Sequence, residues 1–167
     1  PHFEYVSAAA TDGLTRVAGS GFAGADDAPA TLPLGALDGA RVLAISAIGA
    51  PAAFEAQMAA LGARVTSADF DDHHAFTAAD VTGLTSRAAG QDLVFLAVHP
   101  PAIKDVLAPL GPALKPDAIL VSLAPKVTIA RLSGLLGGFA RIARMIPNAP
   151  SLVGRGYNPI ACGAALA

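Results

Sequence analysis

The sequence predicts an α/β domain, doubly wound and mostly parallel, with helices on both faces of one sheet. Three observations point there. From Arg41 onward, short continuous apolar runs alternate with segments of helical spacing. Each run is followed by such a helical segment, the order that lays parallel strands side by side and covers both of their faces. The stretch RVLAISAIGAPAAFEAQMAALGARVTSADFDDHHAFTAAD (41–80) reads in turn as strand, glycine turn, helix, strand and an acidic-histidine cluster. Together they describe a Rossmann-like sheet.

Residues 1–38 stand apart from this pattern. They are rich in Ala, Gly and Asp, and AGSGFAGADDAPA (18–30) has neither helical nor strand periodicity. A short strand or two and a loose linker are expected, an N-terminal extension with little regular structure ahead of a domain over 39–167. The Gly-Ser-Gly within it lacks a following Gly-Lys-Ser/Thr and a strong preceding strand, so no phosphate loop is read there. Strands are predicted at 41–47 (RVLAISA), 64–69 (RVTSAD), 92–98 (DLVFLAV), 118–123 (AILVSL), 140–145 (ARIARM) and 158–162 (NPIAC).

Helices fill the gaps. Phe54, Met58 and Leu61 recur at i, i+4 and i+7, Pro51 suits the first helical turn, and Gly62 ends the helix. Thr77 is the expected N-cap of the next, with Asp80 three residues on as a variant capping box and Val81 and Leu84 inward. Ile103, Val106, Leu107 and Leu110 form a third apolar stripe, bent or ended by Pro109. The last helix begins near Thr128, buries Ile129, Leu132 and Leu136, and closes at Gly137-Gly138.

With 167 residues, 53% of them hydrophobic and 14% charged, the chain has material for one real core. The apolar runs are too finely interrupted for a membrane span. A formal charge of -2 gives no broad basic field, so nucleic acid is not the expected partner and a small molecule is. Cys162 is the only cysteine, and no signal-like segment opens the chain, which predicts a reducing, cytoplasmic setting. With Pro1 in place of Met, the chain reads as a processed or excised piece.

In an open parallel sheet, ligands sit beyond the carboxyl ends of the strands, where the strand order reverses. Five loops fall there: 46–51, 69–76, 99–101, 124–127 and 146–156. In the first, Ala47-Ile48-Gly49-Ala50-Pro51-Ala52 is a degraded G-x-G-x-x-G/A. Gly49 and Ala50 would let the backbone approach a pyrophosphate at the start of the following helix, although a plain strand-to-helix turn reads the same way. Asp69 ends the second strand about 20 positions after Gly49, where an acid accepts ribose hydroxyls and disfavours a 2'-phosphate. An Asp followed by Asp71 and Asp72 is equally ordinary loop chemistry. The run Asp71-Asp72-His73-His74 carries groups suited to a general base or a metal. No Cys/His partner spacing accompanies it, so no metal site is expected. Arg155 is the better phosphate candidate among the arginines; Arg141 and Arg144 read as surface or sheet-end residues.

Two resemblances follow, and they concern different parts of the chain. Residues 91–163, through SLAPKVTIARL and ARMIPNAPSLVGRG, resemble the NAD(P)-binding domain of pyrroline-5-carboxylate reductase and related NAD(P)-dependent oxidoreductases. The resemblance implies NAD or NADP as cofactor, with Val98, His99, Pro100, Ala124 and Asn148 lining the nicotinamide half of the site. The family usually has Lys where this chain has His99, and Gly where it has Lys126. Its dimerising helical domain would begin about where this chain stops, which implies cofactor binding without turnover.

Residues 32–88 resemble the C-terminal part of tetraacyldisaccharide 4'-kinase, an enzyme of lipid A synthesis, through the AIGAP turn and DDHH. That resemblance implies His73 as an active-site histidine supported by Asp72, and an ATP-binding lobe upstream of the matching segment. The chain thus looks chimeric. Three readings stand: an oxidoreductase-like NAD(P)-binding domain, a kinase fragment, and a recombined or engineered α/β scaffold without ligand.

Overall fold

The structure is a computed structural model, and it describes residues 3–7, 14–19, 30–32, 37–48, 51–148 and 158–166. In chain order these form β1 (Phe3–Ser7), β2 (Leu14–Gly19), β3 (Ala30–Leu32), β4 (Arg41–Ser46), α1 (Pro51–Ala60), β5 (Arg64–Asp69) and α2 (Ala78–Ala88). There follow β6 (Leu93–Ala97), α3 (Ile103–Leu110), β7 (Ile119–Ser122), α4 (Ile129–Leu135), β8 (Ile142–Met145) and β9 (Asn158–Cys162). All nine strands share one sheet in the order β3-β2-β1-β9-β8-β7-β6-β4-β5.

The half from β5 to β8 is parallel throughout and carries the predicted doubly wound architecture. The chain passes from β4 outward to β5 and then returns to β6 on the opposite flank of β4, so the order reverses between β4 and β6. Helices cover both faces. Leu84 of α2, Ile103 and Leu107 of α3, and Leu132 of α4 pack on one face against Leu43, Leu96 and Leu120. On the other, Met58 and Phe54 of α1 pack on Val42, Ala44 and Phe95, with the Phe54 and Phe95 rings edge to face at 5.2 Å. Each fully buried leucine of this kind contributes roughly 1.5–3 kcal/mol through the apolar surface it removes from water.

Local chemistry sets the ends of the elements. The predicted capping box forms: Asp80 N donates to Thr77 Oγ1 at 3.3 Å, and Thr77 N donates to Asp80 Oδ2 at 2.8 Å. Ala88, one turn beyond Leu84, is buried where Val81 was expected and is only half-covered. Gly62 ends α1 at φ +87°, and a Cβ there would lie 2.9 Å from the Asp38 Cα, so both conformation and space require glycine. The α3 stripe is buried as predicted, and the helix stops one residue past Pro109. Below the sheet, at the end away from the carboxyl edges, Asp92 accepts from the Arg41 backbone N–H (2.8 Å) and guanidinium (3.2 Å) and from Lys115 Nζ (2.6 Å). These bonds, Arg41 first, hold its carboxyl well below the usual range.

Two features depart from the sequence reading. β9 runs antiparallel to β8 instead of extending the parallel series. The intervening IPNAPSLVGRGY contains two prolines and two glycines, which is poor material for the crossover helix a parallel step needs. The N-terminal region, read as a short strand or two and a loose linker with little regular structure, contributes three strands. β1 and β2 pair antiparallel with Tyr5 opposite Val17, and β1 joins β9; FEYVS and LTRVAG are rich enough in aromatic and β-branched residues to pair. Most of the period-less 18–30 stretch lies outside the described residues. Among the described residues no helix is long and apolar enough to cross a membrane.

Candidate functional site

At the point where the strand order reverses, the loops after β4, β5 and β6 surround a crevice. Ser46 ends β4 beside Asp69 of β5 on one flank and Ala97 of β6 on the other. Its side chain is buried, and among the described residues its hydroxyl has no hydrogen-bond partner. Such an orphan group is unusual in a folded interior. The Gly49 and Ala50 of the turn that follows lie outside the described residues, as do Arg155 and Tyr157.

Two cavities open here, with His99 on the wall of both. One, of about 320 Å³, lies between the 70–76 loop and the start of α3 and is lined by Ala47, His73, His74, Phe76, His99 and Asp105 among others. The second, of about 240 Å³, lies beyond the ends of β6, β7 and β8, with Ile48, Val98, Pro100, Leu123 and Pro147 giving it an apolar wall. The 70–76 loop therefore walls the crevice without plugging it.

The histidine run divides into two roles. His74 faces inward: its ring stacks on Phe70 at 4.9 Å, meets Phe76 edge-on at 5.1 Å, and its Nε2 lies 3.1 Å from Asp80 Oδ2. It ties the loop to the first turn of α2. His73 points the other way, at φ +60°, a left-handed conformation that costs a non-glycine residue roughly 1–2 kcal/mol. Its ring stacks on that of His99 with centroids 3.7 Å apart and planes 13° from parallel. Asp72 sits beneath the pair. His99 Nε2 donates to Asp72 Oδ1 at 3.0 Å, while His73 Nε2 is 3.9 Å from Asp72 Oδ2. The hydrogen bond from His99, chiefly, holds the Asp72 carboxyl below its ordinary range.

The expected pairing of Asp72 with His73 is thus the longer of two contacts, and the partner 27 positions away is the closer one. Nothing in the local spacing reveals that link. It arises because the loops after β5 and β6 meet across β4, and only the strand order, combined with a histidine at each loop, could have suggested it.

The remaining candidates are spread along the carboxyl edge. Val98 is buried in the wall of the second cavity, and Pro100 is exposed at its rim. Ala124 is 1% exposed, so it can shape the loop after β7 but offers almost no surface to a ligand. Asn148 is exposed after β8, and its backbone N–H donates to Asn158 Oδ1 at 3.2 Å, joining that loop to β9. Asp69 stands at the end of β5 as expected, but beside a separate hollow of about 200 Å³ shared with Asp80 and Arg87. Partial burial, then the neighbouring Glu55 carboxyl on α1, raise its pKa.

A parallel α/β sheet with its crevice at the reversal of strand order defines the class: a doubly wound, Rossmann-like domain. The family model described as tetraacyldisaccharide-1-P 4'-kinase matches residues 13–105, and the chain belongs to that family. Among individual proteins, a tetraacyldisaccharide 4'-kinase of Azoarcus sp. (strain BH72) is 42% identical over 66 residues, covering 40% of this chain and 19% of that protein.

A pyrroline-5-carboxylate reductase of Pseudomonas aeruginosa is 41% identical over 68 residues, covering 41% of this chain and 25% of that enzyme. The chain thus spans about a quarter of the length of the curated relatives it matches. Among solved structures, a pyrroline carboxylate reductase of Plasmodium falciparum with NADP bound superposes with a TM-score of 0.53 at 20% identity, over 72% of this chain and 47% of that one. That likeness shows the fold. Similarity to both families within one chain matches the two resemblances read from the sequence.

Proposed function

We propose that the chain is an NAD(P)-binding domain of the pyrroline-5-carboxylate reductase type, one that binds the cofactor without itself turning over a substrate. The observation that carries this reading is the apolar cavity beyond β6, β7 and β8, adjoining the reversal of strand order. It has the place and character of a pocket for a flat, weakly polar ring. The nicotinamide ring, when bound, supplies the hydride chemistry. The chain's own part is to hold it: Val98, His99 and Pro100 on one side, the loops carrying Ala124 and Asn148 on the other. Gly49 and Ala50 would pass the pyrophosphate to the amino end of α1, and the Ser46 hydroxyl, without a partner among the described residues, is a group a bound polar ligand could satisfy.

Asp69 would accept the ribose hydroxyls. The Glu55 carboxyl beside it adds a second negative group, which argues for weak binding and for NAD over NADP. The test is a titration of the purified chain with NADH and NADPH, followed by nicotinamide fluorescence, with ATP-Mg in parallel. Saturable NADH binding that is lost in Gly49→Val, with circular dichroism unchanged, supports the reading; no binding of either nicotinamide sinks it. The match over 13–105, together with His73 in the crevice, supports a second reading, a kinase piece that acts only with an ATP-binding lobe. Binding of ATP-Mg alone would favour that one.

A further inference from the structure

We propose that Asp72, His73 and His99 form a binding site for a divalent transition-metal ion, with zinc the best match. One carboxylate and two imidazoles each offer a ligand atom, and the three atoms lie within 4.8 Å of one another. An ion bound at about 2.0–2.2 Å by such ligands holds them about 3.4 Å apart in a tetrahedron, so His99 Nε2 and Asp72 Oδ1, at 3.0 Å, already stand at bridging distance. His73 closes the set by opening its ring from the stack. Its side chain is 71% exposed, so solvent-facing room is available for that movement. The two imidazoles select zinc, copper or nickel over magnesium or calcium, which prefer oxygen alone.

The residues come from two loops on different strands, which gives the site a span that a sequential run such as Asp71-Asp72-His73-His74 cannot give itself. Asp72 and His73 belong to the segment resembling the kinase, and His99 replaces the lysine usual in the segment resembling the reductase. A lysine there would place an ammonium where a ligand is needed. The trio therefore exists only because these two segments meet in one crevice. Both imidazoles also line the 320 Å³ cavity, so the coordination positions left by three protein ligands face a space where water or a small anionic ligand can enter. The site goes beyond the cofactor reading and does not depend on it.

The test is isothermal titration of the full, tag-free chain with zinc chloride, repeated with cobalt(II) to read the visible bands of a tetrahedral site. The expected result is one saturable zinc per chain, weakened at least tenfold in His99→Gln, His73→Gln and Asp72→Asn, and unchanged in Cys162→Ser. All three ligand side chains are at least one-third exposed, so the variants should keep the wild-type circular dichroism, which is recorded for each. No saturable zinc in the wild type overturns the proposal, and so does binding that survives at full strength in His99→Gln or His73→Gln.

Discussion

Lys126 and His73 are the non-glycine residues with positive φ among the described residues, at 63° and 60°. Both sit in loops at the carboxyl edge, but they differ in what the strain accomplishes. At His73 it turns the ring onto His99 and away from the Phe70 and Phe76 cluster that His74 enters. At Lys126, exposed in the loop after β7, no hydrogen bond or ion pair of the side chain among the described residues accounts for it. Lys126→Gly should therefore stabilise the fold. Relief of the left-handed conformation is worth about 1–2 kcal/mol, and the extra freedom glycine gives the unfolded chain takes back about 0.5–1 kcal/mol. A net gain of roughly 0.5–1 kcal/mol should appear as a higher urea midpoint at constant slope; an unchanged or lower midpoint would show that the lysine holds its loop by a contact. At this scale the sequence is legible where one residue type has one use, as at Gly62. It was not legible for Asp72, whose partner is chosen by tertiary proximity between groups that both occur in ordinary loops.

Among the elements, helices were the most readable because their signals are local. Thr77 and Asp80 mark the start of α2 through the distances of a four-residue turn, and the α3 stripe follows from its period alone. The direction of β9 was not readable in that way, since a pentapeptide such as NPIAC has the same sequence whether it pairs parallel or antiparallel. The information lay instead in the connection before it, whose two prolines and two glycines disfavour a crossover helix. The α2 cap also makes a testable electrostatic claim. Backbone and side-chain hydrogen bonds from Thr77, followed by His74, lower the Asp80 carboxyl to about 2. In the unfolded chain the same group titrates near the ordinary aspartate value of about 3.9. Because the folded value is the lower one, the stabilisation is complete above about pH 4 and is lost as pH falls from there toward 2. Thr77→Ala should cost about 0.5–2 kcal/mol at neutral pH. Asp80→Asn should be less stable than wild type at pH 7, and the gap should narrow through that acid window in urea melts. A gap constant from pH 7 to pH 2 would mean that Asp80 contributes by packing alone.

The whole molecule joins two kinds of sheet. Its parallel half was legible because buried parallel strands and their helices impose a long, regular pattern on sequence, and both core clusters fall within residues 40–142. Its antiparallel half was not, because β1, β2 and β3 are not set in that strand-helix alternation and carry no such period. The architecture makes the two halves unequal in what they require of each other. The parallel half, with helices on both faces, holds its own apolar core and its own ion cluster at Asp92, so a chain of residues 39–167 should retain a cooperative unfolding transition. Its outer strand is another matter. β9 pairs with β8 along one edge and with β1 along the other, and removing β1 leaves a row of unpaired backbone groups on β9, the kind of edge that recruits another chain. The shortened chain should therefore fold and self-associate, increasingly with concentration, as read by light scattering alongside thermal melts. A Lys placed at Ile160, near the middle of β9, should reduce that association without lowering the melting temperature by more than a few degrees. If the shortened chain instead fails to fold at all, the N-terminal strands are part of the core and not an extension of its edge.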